Sequence, residues 1–102
     1  MALLQLTVIP MGTETPAVGP YIADIQKALA EEKVKFKLMD MGTLLEGDAA
    51  ELLAVVARIH ELPFLKGAQR VVTQITMDDR RDKKVSIGDK IIAVKTLLDE
   101  DE

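Results

Sequence analysis

The sequence predicts an α+β domain. One four-stranded antiparallel sheet carries two helices on one side, in the order βαββαβ, and a third helix follows at the C-terminus. Three observations predict it. Strand-like stretches, most of them alternating at a two-residue period, occur at four places. Apolar residues at helical spacing fill the gaps after the first and third of these. Hydrophobic residues are 48% and charged residues 29% of the 102-residue chain, the balance of a folded domain. With no repeat or linker, residues 1–102 read as a single domain.

Residues 2–10 form the first strand, with Ala2, Leu4, Leu6 and Val8 on one face and Gln5, Thr7 and Ile9 on the other. "MGTETPAVGP" is a loop, dense in Gly, Pro and Thr. Pro20 suits the first position of a helix over 20–32, whose apolar stripe is Ile22, Ile25 and Leu29. "VKFKLMD" alternates Val34, Phe36 and Leu38 against Lys35 and Lys37, a half-exposed strand. "DMG" turns the chain and "TLLEG" returns as a third strand. Asp48 is placed to cap the second helix, with Glu51 completing a capping-box spacing. Leu52, Leu53, Val56 and Ile59 form its stripe, and Pro63 is expected to kink or end it.

"QRVVTQITMD" is the fourth strand, and "DRRDKK" a charged connection. Ser86 and Asp89 make a weaker capping box for a last helix carrying Ile87, Ile91, Val94 and Leu98. The tail "DEDE" opposes the helix dipole and is expected to fray. Two right-handed βαβ crossovers in this order interlock into the ferredoxin-like sandwich. Its second sheet face would carry Gln5, Thr7, Ile9, Val72, Gln74 and Thr76. That mixture favours packing on a partner sheet or on the added helix. The plainer alternative is a wetted face of good strand formers.

Composition excludes several functions. A net charge of −4 weighs against nucleic acid as a partner. With no cysteine, disulfides, thiolate metal sites and cysteine nucleophiles are ruled out. His60 is the single histidine and Ser86 the single serine, so no Ser/His/Asp set and no paired-histidine metal site can be built. The glycine-containing stretches do not match a phosphate loop. "MALLQLTVIP" lacks the basic start and cleavage site of a leader, and no run approaches a membrane span. The expectation is a soluble cytoplasmic protein with no catalytic residues, no metal and no membrane partner.

Two groups of residues stand out. In "MGTLLEG", Thr43 and Glu46 are polar side chains on a strand otherwise headed for a core. Glu46 either points to solvent at the strand end or forms the lip of a pocket for an amine-bearing or cationic ligand. In "MDDRRDKK", Arg80 and Arg81 could pair bidentately with carboxylates of a neighbouring chain, beside Asp78 and Asp79. A solvated turn with local ion pairs is the alternative.

Three segments in order, "LTVIPMGTET", "MGTLLEG" and "ITMDDRRD", resemble the thiamine-binding protein family of small ferredoxin-like proteins. The resemblance runs from Leu6 to Leu98. It implies a protomer that assembles into homodimers and homotetramers, and binding of thiamine or its hydroxymethyl-pyrimidine half, without catalysis and without a further cofactor. Carried onto this chain, it implies ligand contacts from Thr13, Thr15, Tyr21, Met41, Thr43 and Glu46, and a subunit boundary near Asp78, Asp79, Arg80 and Arg81. Two departures stand out. The first loop reads "GTETPAVG" where relatives are richer in serine, and Pro63 interrupts a helix that relatives run straight through. The expected function is therefore a non-enzymatic vitamin or precursor binder. The alternative is a structural or regulatory small-ligand sensor whose output is its oligomeric state. An enzyme of this topology is disfavoured: the acylphosphatase type needs an asparagine that this chain lacks, and an RNA-recognition type needs sheet aromatics.

Overall fold

A computed structural model describes residues 1–14 and 16–100. The element order is β1 (Ala2–Met11), α1 (Gly19–Glu31), β2 (Lys35–Met39), β3 (Gly42–Gly47), α2 (Ala49–Leu65), β4 (Arg70–Asp79) and α3 (Asp89–Glu100). The four strands form one sheet in the order β2-β3-β1-β4. Each neighbouring pair is antiparallel. This is the predicted ferredoxin-like α+β arrangement. β1 and β4 pair along their whole length, from Ala2 opposite Asp79 to Met11 opposite Arg70.

The two-residue period sorts the faces. Ala2, Leu4, Leu6 and Val8 of β1 and Leu45 of β3 are buried against Ile25 and Leu29 of α1 and Leu52, Val55, Val56 and Ile59 of α2. Burial of this apolar area drives the fold. α1 and α2 are also tied at the surface by Arg58, which donates two hydrogen bonds to Glu32, at 2.6 and 3.0 Å. Gly42 sits where β3 crowds β1. A Cβ there would lie 3.0 Å from the Leu6 carbonyl oxygen and 3.1 Å from Thr7 Oγ1.

Several local expectations need correction. Asp48 occupies the N-cap of α2 but its side chain makes no capping hydrogen bond. Glu51 remains in the first turn, where its charge suits the dipole. Pro63 does not end α2, which runs on to Leu65. It lies in the last turn, so few hydrogen bonds are left to break, and its ring is buried. Asp99 and Glu100 are helical rather than frayed, and residues 101–102 lie outside the described residues.

The second sheet face is not covered by α3. Every residue of α3 is exposed, including Ile91, Ile92, Val94, Leu97 and Leu98. The radius of gyration is 15.7 Å, against about 13 Å for a compact chain of this length. The base of α3 is nonetheless fixed. Val85 is buried. Asp89 accepts a hydrogen bond from the Ser86 N–H at 2.9 Å, half of the predicted capping box. Among the described residues, no helix is long and apolar enough to cross a membrane.

Candidate functional site

α1 and the β2–β3 turn do not close on each other. Between them and β1 lies a slot of about 260 Å³. Its walls are apolar: Leu6, Val8 and Ile9 from β1, Val18, Ile22 and Ile25 from the start and inner face of α1, and Leu38 and Met39 from β2. The sequence produces this by placing a short turn at 40–41 between β2 and β3, so that residues 38–43 border the slot beside Val18, Ile22 and Ile25. Four polar side chains interrupt the walls: Thr7, Gln26, Asp40 and Thr43. Thr43 is buried, and its hydroxyl accepts a hydrogen bond from Gln26 Nε2 at 3.1 Å. Thr7 Oγ1 donates to the Met41 carbonyl at 3.3 Å, bracing the turn. Asp40 is an exposed lining residue of the turn.

The residues singled out in the sequence fall in three places. Thr43 and Met41 line the slot; Thr43 is in its wall, and Met41 is 83% exposed in the turn. Thr13 and Tyr21 line a different, wider concavity of about 840 Å³, shared with Lys66 and Arg70. There Lys66 pairs with Asp24 at 2.5 Å and lies 5.9 Å from the centre of the Tyr21 ring. Thr15 lies outside the described residues.

Glu46 is on the opposite sheet face from Thr43, because the two are three residues apart on one strand. It does not point to solvent. It is 8% exposed, and its Oε1 accepts the Ile87 N–H at 2.9 Å. Lys35 Nζ stands 3.8 Å from Oε2. Glu46 thus holds the segment before α3 to the sheet and borders a concavity of about 560 Å³ with Lys35, Lys37 and Ile87, apart from the slot that Thr43 lines.

In the charged turn, both guanidinium groups find partners within the chain. Arg80 donates bidentately to Asp82, at 2.6 and 2.9 Å, and Arg81 donates twice to Asp79. Asp78 accepts from Lys90 of α3 at 2.6 Å, and this ammonium holds the Asp78 carboxyl below its ordinary value. His60 is engaged too. Its Nδ1 lies 2.6 Å from Thr73 Oγ1, and its ring meets Phe64 edge-on at 5.4 Å. It joins α2 to β4 and lines no cavity described here. Among the described residues, no group of three or more His, Asp or Glu is arranged to hold a metal ion.

Thr7, Asp40 and Gln26 are polar slot residues that the sequence does not single out as ligand contacts, and Gln26 is the least local of them. It is a polar position on an amphipathic helix, and only the packing of α1 over β3 brings it to Thr43.

Residues 4–95 match the sequence pattern of a family described as thiamine-binding protein. The chain belongs to this family. The UPF0045 protein YqgV of Bacillus subtilis is 52% identical over 102 residues, covering 96% of this chain and 98% of the relative. A UPF0045 protein of Methanothermobacter thermautotrophicus is 40% identical, covering 93% and 97%. Among solved structures, a hypothetical protein of Methanocaldococcus jannaschii superposes with a TM-score of 0.81 at 29% identity, over 92% of this chain and 95% of that one. A Thermotoga maritima protein, described provisionally in thiamine biosynthesis or salvage, shares the fold at a TM-score of 0.74 and 19% identity, over 91% and 97%.

Proposed function

We propose that this chain binds thiamine or its hydroxymethyl-pyrimidine half, transforms neither, and works as a homo-oligomer. One observation carries the binding reading: an apolar slot whose wall holds a fixed amide and hydroxyl, Gln26 and Thr43. Small-ligand sites have this build, mostly apolar with a few placed polar groups. A flat aminopyrimidine fits it chemically. Its ring wants apolar walls, its ring nitrogens accept hydrogen bonds and its amine donates them. Asp40 supplies a carboxylate for that amine or for a thiazolium charge. At about 260 Å³ the slot is smaller than the roughly 300–1,000 Å³ typical of drug-sized ligands, which suits one heterocycle. Membership of the thiamine-binding family supports the same ligand. Among the slot's described lining residues Asp40 alone is ionisable, too little for the acid–base or nucleophilic pairs that catalysis uses.

Titration calorimetry with thiamine and with hydroxymethyl-pyrimidine tests the reading. A Thr43→Val change keeps the volume and removes the hydroxyl. Its expected effect is a roughly tenfold loss of affinity, the worth of one hydrogen bond. Absence of heat and of thermal stabilisation with both ligands removes the proposal.

A second reading, a ligand sensor whose output is its assembly, is favoured by α3, whose large apolar residues are all exposed in the single chain. The two readings separate on one measurement. A sensor changes its oligomeric mass when ligand is added, and a carrier does not.

A further inference from the structure

The slot's lining is one-sided in charge. No Lys, Arg or His appears among its described lining residues, and the single charged type is the carboxylate of Asp40. A phosphate group carries about −1.5 to −2 charges at neutral pH and needs cations or clustered N–H donors to replace its water. The first turn of α1 does not supply them to the slot. Val18 and Ile22 border the slot, whereas Pro20 and Tyr21 of that turn line the neighbouring concavity, where Lys66 and Arg70 also sit. Pro20 also has no N–H to offer. The chain's net charge of −4 acts in the same direction at long range.

We infer that the slot takes the unphosphorylated, neutral or cationic form of its heterocycle and rejects the corresponding phosphate esters, with Asp40 as the residue that sets this preference. The inference rests on the thiamine-binding reading of the slot and narrows it. A thiazolium cation near Asp40 gains attraction. A phosphate placed there meets a like charge and leaves its own charge unpaired as water is displaced.

The test is a side-by-side calorimetric titration at low salt of thiamine, thiamine monophosphate, hydroxymethyl-pyrimidine and its phosphate ester, on the full chain and on Asp40→Asn and Asp40→Lys. Asp40 is exposed in a turn, so both variants are expected to keep the fold, which circular dichroism checks. Each ester is expected to bind about tenfold or more weakly than its parent alcohol, the scale of one like-charge contact near a surface. Asp40→Asn should narrow that gap and Asp40→Lys should close or invert it. Esters binding the unaltered chain as tightly as the alcohols, or a gap unmoved by Asp40→Lys, overturns the inference and leaves the thiamine reading standing. Silence from all four compounds sinks the thiamine reading itself, and this inference with it.

Discussion

Glu46 is a carboxylate at 8% exposure with one strong partner, the Ile87 N–H at 2.9 Å, and one weak one, Lys35 at 3.8 Å. Glu46→Ala leaves that N–H without its acceptor, at a cost of about 1–3 kcal/mol. For a chain of this size each kcal/mol lowers the melting temperature by roughly 4–8 °C, which calorimetry reads. Glu46→Gln keeps an acceptor and loses only the pairing with Lys35, whose side chain is 80% exposed, so its expected effect is small. Neither variant should change ligand affinity, because Glu46 and the slot lie on opposite sheet faces. Loss of binding in Glu46→Ala with the fold intact would contradict this assignment. Gly42 makes a complementary case at the edge of the slot. Gly42→Ala drives a Cβ into the backbone oxygen of Leu6 at 3.0 Å, which cannot rotate away. The expected result is a loss of about 1–3 kcal/mol in denaturant unfolding, the usual cost of overpacking.

At the scale of elements, what was legible followed from periodicity. The alternation of Leu4, Leu6 and Val8 against Gln5 and Thr7 fixed which face of β1 is buried, and the stripe of Leu52, Val56 and Ile59 did the same for α2. The spacing places Leu53 in that stripe, yet it is 48% exposed, because it lies one position, about 100°, off the buried line. Other misses depend on local geometry and tertiary contacts that spacing does not encode. Asp48 has the right type and place for a cap and does not cap. Pro63 stays helical because its ring is buried near the helix end. The Gln26–Thr43 pair joins residues 17 apart on different elements. The tether of α3 is equally non-local, and it titrates. Lys90 holds the Asp78 carboxyl below its ordinary value of 3.8, chiefly by its hydrogen bond. A lowered folded value means that the pairing stabilises fully above the unfolded value and is lost as pH falls through the folded one. Glu32, lowered by Arg58 from an ordinary 4.5, behaves in the same sense between α1 and α2. Asp78→Asn is therefore expected to melt below the unaltered chain at pH 7, with the difference shrinking as the pH falls below 3.8. A difference that persists undiminished at pH 3 would show that the pairing is not what the substitution removed.

For the whole molecule, α3 decides the shape. A chain measuring 51 × 30 × 20 Å, with a radius of gyration about 3 Å above the compact value, leaves an amphipathic helix and most of one sheet face without a counterpart. The uncovered face presents Ile9, Val72 and Leu44 among Gln5, Thr7 and Thr76, in one register across β3, β1 and β4. Apolar area of this kind is stabilised when a second copy covers it, and a symmetric dimer covers two such faces at once. Light scattering at low micromolar concentration is expected to give a dimer or tetramer mass. The paired change Ile91→Glu with Leu98→Glu tests the helix directly. Both side chains are more than half exposed in the single chain, at 55% and 60%, so the protomer's own core loses nothing. The expected product is a folded monomer with an unaltered circular dichroism spectrum. Its ligand affinity should match that of the assembled protein, because neither Ile91 nor Leu98 lines the slot. A variant that keeps the oligomeric mass would place the interface elsewhere on the molecule. A clean monomer that no longer binds would mean that assembly completes or stiffens the slot, and would tie the two proposed properties into one.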